Sequence, residues 1–191
     1  IDYSYRGKAA RDYIKTFDRI SEHVFVVIAF SISKSMTSYG MRCGAAILMA
    51  QKEESVREVE IVFEKAARAI WSNVNNAAME NFVTVVTDNK AAYEAEKDEY
   101  VDLLKERSDI FTSEADACGL EYYPYKEGFF VTVKIEDNNV RNAYHEALMK
   151  EHIYTVMVNK GIRVAVCSLP VEKCKGLAAR MKKILDEVTA A

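Results

Sequence analysis

Long apolar runs are missing from this sequence: the longest uninterrupted one, Val24 to Phe30, is far short of the roughly 20 residues a membrane helix needs. We expect no signal peptide ahead of it. An excess of one charge is missing too, since 26 basic and 29 acidic residues are mixed along the chain for a net charge of -3. That excludes a basic face for nucleic acid and a polybasic membrane patch. The four cysteines (Cys43, Cys118, Cys167, Cys174) have no metal-type CxxC spacing, and the three histidines (His23, His145, His152) form no ligand cluster. A structural metal is therefore not expected, and a reducing, cytoplasmic setting fits best. There is no internal repeat and no low-complexity tract. What remains is a soluble chain, half hydrophobic over 191 residues, able to bury a sizeable core in one domain or two small ones. It opens on "IDYSY" with no start methionine, so we expect a segment of a longer polypeptide.

The pattern along the chain predicts an α/β protein. Val24 to Phe30, apolar on both faces, suits a strand buried on both sides, as in a parallel sheet covered by helices, and Cys43 to Ala50 reads similarly. From Glu53, apolar residues recur at helical spacing (Val56, Val59, Phe63, Ala66, Ile70), and again at Ala78, Phe82, Val85 and Val86 after the polar turn "SNVNN". A long charged helix follows with Tyr93, Tyr100, Leu104, Phe111, Ala115 and Cys118 on one face, terminated by Gly119. Strands are predicted at Glu121 to Tyr123, Gly128 to Ile135, Tyr154 to Val158 and Arg163 to Cys167, with a helix from about Asn139 to Glu151. A last helix has Ser168 as its cap, Pro170 in its first turn, and Cys174, Leu177, Met181, Ile184 and Val188 on one face. The β-α-β-β-α order after residue 120 is a small α/β layer. His145 and His152 fall on or near its first helix and have no assigned role.

The chemistry gathers where the first strand ends. Ser31, Ser33 and Lys34, followed by Gly40, Arg42 and Gly44, place hydroxyls and two positive charges at the end of an apolar run. Hydroxyl donors and a bidentate cation are what a phosphate dianion needs. The order S-x-S-K-x5-G-x-R-x-G resembles the cofactor-lysine motif of the fold type I pyridoxal-phosphate aminotransferases (class I/II), aspartate aminotransferase in particular. The resemblance implies that Lys34 is the Schiff-base lysine, with Ser31, Ser33 and Arg42 on the cofactor phosphate. Its amine must then be unprotonated, which burial and neighbouring positive charge favour. Gly40 and Gly44 would let the backbone turn tightly beside the cofactor.

Three more segments are similar to that family. "DYSY" matches its D-x-[AS]-Y element, implying that Asp2 faces the pyridine nitrogen and Tyr5 the ring's phenolate oxygen. "RAIWSNVNN", Arg68 to Asn76, is similar to R-P-x-Y-S-N-P-P, with Ala69 and Val74-Asn75 in place of prolines. The resemblance makes Arg68 a ligand, across a dimer interface, for an acidic substrate side chain; the residue alone reads equally well as a cation at a helix C-terminus. "GIRVAVCSLP", Gly161 to Pro170, resembles the small-domain strand whose arginine, here Arg163, grips the substrate α-carboxylate. Gly128 and Phe129 in "YPYKEGFF" would open a strand near the substrate.

The resemblance covers essentially the whole chain. It implies the C-terminal half of a fold type I enzyme, with residues 1–95 as the end of the large pyridoxal 5'-phosphate-binding domain and 96–191 as the bridging helix and small domain. The phosphate-binding turn, ring-stacking aromatic, ring-oxygen asparagine and partner-subunit tyrosine of the family's first half have no counterpart here. The implied function is transamination between an amino acid, aspartate or aromatic, and a 2-oxo acid, by a homodimer, with this chain alone inactive. A β-lyase or decarboxylase of the same fold would use nearly the same residues, and a pyridoxal-phosphate-binding or dimerisation module without turnover remains the reading from another class.

Overall fold

The structure, a computed structural model, describes Phe17, Arg19, Ile20 and residues 23–190. Within these residues the chain forms two compact units, with the boundary between Asp98 and Glu99.

In the first unit, β1 (Val26–Ser31) runs into a single helical turn, α1 (Ile32–Ser35), and the chain returns as β2 (Gly44–Met49). The two strands pair antiparallel from Val26↔Met49 to Ser31↔Gly44. This corrects the expectation of a strand buried on both faces of a parallel sheet. A parallel return needs a crossover of a dozen or more residues, usually with a full helix, whereas this connection holds one helical turn and one 3₁₀ turn, Tyr39–Met41. Among the described residues the ribbon has no third strand, and Val27 and Ile47 are each 49% exposed. The helices α2 (Glu53–Ile70) and α3 (Asn76–Val86) form where the periodicity places them. Acidic Glu53 and Glu54 open α2, favourable at the positive end of its dipole, and the Asn75 side chain accepts from Ala78 N at 3.2 Å to cap α3. The apolar stripe of α2 is left open, with no buried residue. On α3, Ala78 is buried and Phe82 meets Phe30 edge-on, with ring centroids 5.7 Å apart.

The long helix α4 (Lys90–Cys118) carries the boundary between the units. Beyond Glu99 it buries Val101, Leu104, Ser108, Phe111 and Ala115, an alternation of three and four residues that keeps one face inward. The stripe runs through Val101, while Tyr100, placed on it by the sequence, is one position off and 54% exposed. Gly119 ends the helix in the left-handed region at φ +72, as expected.

The second unit is a three-stranded antiparallel sheet of order β3-β5-β4, formed by β3 (Val131–Lys134), β4 (Val156–Val158) and β5 (Gly161–Val164). The segment Glu121 to Tyr123 supplies only a bridge, Tyr122↔Val133, rather than the expected strand, because Pro124 follows and has no N–H for the ladder. One face of the sheet buries Val131, Val133, Ile162 and Val164 beneath Tyr144 and Leu148 of α5 (Asn138–Lys150) and Met181 and Ile184 of α7 (Leu177–Ala190). The Tyr144 hydroxyl donates to Met181 O at 2.9 Å and ties the two helices together. His145 lies on α5, where its ring N–H donates to Thr155 O.

The last helix differs from its prediction. Ser168 belongs to a 3₁₀ turn, Val166–Ser168, which also takes Cys167 out of the expected strand, and its hydroxyl donates to Ala165 O rather than capping. Pro170 precedes a one-turn helix, α6 (Val171–Cys174). Gly176, at φ +76, then interrupts the helix, and its N–H donates to both carboxylate oxygens of Glu114, at 2.7 and 2.9 Å. The expected buried face survives the break: Cys174, Leu177, Met181 and Ile184 are all in the core.

Phe111, with no exposed surface, should lose about 3–5 kcal/mol of stability as Phe111→Ala, measured by urea denaturation followed by circular dichroism. Burial pushes the Tyr144 hydroxyl well above the usual tyrosine range, helped by Cys118 and Asp186. A folded-state value above the unfolded one means that stability is retained below about pH 10 and falls as pH rises beyond it. Tyr144→Phe should therefore cost about 1 kcal/mol at neutral pH and flatten the alkaline decline in a pH series of melts.

Candidate functional site

Ser31 is the last residue of β1 and the N-cap of α1, its Oγ accepting from Ser33 N at 3.2 Å. Ile32, 2% exposed, drives the inner side of the turn into the core, and its N–H donates to Cys43 O at 3.3 Å. Ser31 and Lys34 are thereby left on the outside, with Ser33 half-buried. The register that sets Ser31 against Gly44 is tight, since a Cβ at residue 44 would lie 2.5 Å from Phe30 O. Only glycine fits. Gly40 has nothing within 4 Å of such a Cβ, so the close approach expected at both glycines is required at Gly44 alone.

Lys34 and Arg42 converge on one ring. The Lys34 ammonium is 4.8 Å from the Tyr39 centroid and the Arg42 guanidinium carbon 5.1 Å. Arg42 adopts the left-handed conformation at φ 51, and its Nη1 donates to Tyr39 O at 2.9 Å. The two hydroxyls, the amine and the guanidinium that the sequence singled out are thus gathered at one strand end. This donor set fits an aldehyde-bearing phosphate ester: Ser31 uses its oxygen lone pair for the cap and keeps its hydrogen to donate, and one Arg42 nitrogen serves the backbone while the rest of the fork remains. The surroundings differ from expectation, because Lys34 and Arg42 are exposed. The ribbon beside them is partly open as well, with Val27 and Ile47 exposed.

Arg68 occupies the last turn of α2, where its Nη1 donates to Ser72 Oγ at 2.6 Å and Ser72 stands at φ 69. A cation there also favours the helix dipole. The segment beyond it, with Trp71, Asn73 and Asn75, lines a cavity of about 820 Å³ together with Arg42 and Cys43. Asn75 Nδ2 donates to Met41 O at 3.4 Å. Two separate family-like segments therefore share one concavity.

Arg163 is described in the other unit, on the central strand β5 between Thr132 and Val156. Its neighbours Ile162 and Val164 point into the core, so Arg163 emerges on the opposite face, half-buried. Its guanidinium carbon lies 4.4 Å from the Phe130 centroid, and its Nε is buried without a hydrogen-bond partner among the described residues. Phe130 and Tyr39 are the residues that sequence reasoning missed. Tyr39, three residues before Arg42, could have been found from local spacing, whereas Phe130 meets Arg163 only through the strand register. Asp2 and Tyr5 lie outside the described residues. No helix among the described residues is long and apolar enough to cross a membrane.

The family model for aminotransferase class I and II matches residues 1–181. No curated protein sequence matches the chain. Among solved structures, an aminotransferase from Anaerococcus prevotii is 34% identical, with a TM-score of 0.86, over 92% of this chain and 42% of its own. A putative aspartate aminotransferase from Leishmania major shares 18% identity over 93% of this chain and 42% of its own, with a TM-score of 0.64. Kynurenine aminotransferase from Pyrococcus horikoshii, solved in complex with PMP, shares 17% identity over 85% of this chain and 41% of its own, with a TM-score of 0.67. The chain thus spans about two fifths of the length of the structures it matches, 42% of the first. With a lysine, two serines and an arginine gathered at one strand end and the family match running through residue 181, the chain belongs to the class I and II aminotransferases, and its α/β architecture is a portion of the pyridoxal-phosphate-dependent fold type I.

Proposed function

We propose that this chain is the C-terminal half of an enzyme that transfers an amino group between an amino acid, aspartate or aromatic, and a 2-oxo acid. Residues 1–95 are the end of its large domain, and residues 96–191 its bridging helix and small domain. The observation that carries this reading is the convergence of Lys34 and Arg42 on Tyr39 beside the hydroxyls of Ser31 and Ser33.

Pyridoxal phosphate, when bound, supplies an aldehyde carbon and a ring that withdraws electrons from the substrate Cα. Ser31 and Ser33 would donate their hydroxyl hydrogens to its phosphate, and Arg42 would add a two-pronged cationic contact that a lysine could not reproduce. Lys34 would hold the cofactor through Nζ, and the same amine, when free, would serve as the base that moves the proton at the substrate Cα. Asp2 would pair with the ring nitrogen and Tyr5 with the ring oxygen. Arg163 receives the α-carboxylate of either substrate. Arg68 exchanges its bond to Ser72 for an acidic side chain across the interface of a homodimer.

The exposure of Lys34 and Arg42 supports the reading that this chain alone does not turn over, because the described residues do not enclose the two groups away from water. The cysteines at 43, 118, 167 and 174, all free, suit a reducing, cytoplasmic setting.

Incubation of the complete enzyme with pyridoxal phosphate followed by borohydride should fix the cofactor to Lys34, located by peptide mass, and Lys34→Ala should abolish that label. Labelling scattered over surface lysines would sink the assignment. In the complete enzyme, Arg163→Lys should raise KM for amino acid and oxo acid alike by roughly ten- to a hundredfold, the loss of one charge-assisted hydrogen bond at about 1.5–3 kcal/mol.

A further inference from the structure

The described arginines from Arg42 onward are all held by hydrogen bonds except one. Arg42 donates to Tyr39 O, Arg57 to Glu60, Arg68 to Ser72, Arg107 to Cys167 O, Arg141 to Val158 O and Arg180 to Glu151 O. Arg163 has no such bond among the described residues, and its Nε is buried without a partner. An aromatic face takes their place, with the Phe130 centroid 4.4 Å from the guanidinium carbon.

The ring is itself held. Phe129 packs against the core and meets Phe130 edge-on at 6.3 Å, while its carbonyl accepts from Cys167 N at 3.4 Å. One step earlier, the Tyr125 hydroxyl donates to Gly128 O at 2.8 Å. The position of Phe130 is thus set by the core and by a pinned loop, independently of Arg163. Across the ladder, Arg163 is flanked by Thr132 and Val156, neither of which can accept from a guanidinium through an ionised group. A cation over an aromatic face is held by the ring quadrupole while its N–H edges stay open.

We propose that Phe130 is a positioning residue for carboxylate recognition: it holds the Arg163 guanidinium by its face, so that the fork enters the bidentate pair already oriented and with its donors unspent. This rests on the reading of Arg163 as the α-carboxylate ligand. It adds that the aromatic face, rather than a hydrogen-bonding carboxylate, sets the orientation, so no acidic residue competes with the incoming anion.

The test uses the ¹⁵N-labelled chain, pyruvate as the smallest 2-oxo acid, and the arginine Nε–H signal that disappears in Arg163→Lys. In the parent chain this signal should stand apart from those of exposed arginines and move on addition of pyruvate. Phe130→Leu should bring it to the exposed-arginine position and weaken pyruvate binding about tenfold, as expected for a desolvated cation on an aromatic face. Phe130→Trp should preserve both, and unchanged amide signals from the core would show that the fold is intact. If Phe130→Leu leaves the signal and the affinity as they were while Arg163→Lys loses pyruvate, the positioning role is overturned and the carboxylate site stands. If Arg163→Lys binds pyruvate as the parent does, or the parent does not bind it, the carboxylate reading falls and the positioning role with it.

Discussion

The candidate cofactor site depends on how closely two strands approach where β1 ends. Ser31 lies opposite Gly44, and the carbonyl of Phe30 occupies the space a Cβ at residue 44 would need. With the backbones drawn together, Ile32 is carried inward and its N–H reaches Cys43 O. The chain then makes one capped turn and presents Lys34 outward, while the return strand begins at Gly44, two residues after Arg42. A bulkier residue at position 44 would separate the strands and part the lysine from the arginine. Tyr39 completes the arrangement as the ring over which both cations rest.

The second unit solves a different problem, that of fixing a cation on a short sheet. Burial of one face beneath α5 and α7 sets the strand register, and Tyr144 locks the helices to each other. Alternation then forces Arg163 out on the other side. Its orientation comes from an aromatic face. Arg68, by contrast, is held by a hydroxyl at a helix end, so the proposed substrate arginines are restrained by different means.

Much of this was readable in one dimension. The helices from Glu53 to Cys118 follow from apolar spacing, and Gly119 ends the long helix as its type demands. The serine, lysine and arginine of the first site lie within twelve positions, from Ser31 to Arg42, so a local motif captured them. The misreadings share a cause. Val24 to Phe30 carries enough apolar residues for a strand covered on both sides, but what covers a strand is not written in the strand. Likewise, the final helix looked continuous because its core-facing residues keep their spacing through Gly176, whose break and tie to Glu114 depend on a partner 62 residues away.

The sequence by itself determined which residues are apolar at which period, where helices begin and end, and which hydroxyls and cations stand together along the chain, because these rest on local propensity and spacing. The tertiary structure alone decided that β1 and β2 run antiparallel with open faces, that Lys34 is exposed, that the segment from Trp71 to Asn75 shares a cavity with Arg42, and that Phe130 lies over Arg163. Each of these depends on contacts between residues distant in sequence, and such contacts are fixed by strand register and by the burial of a common core.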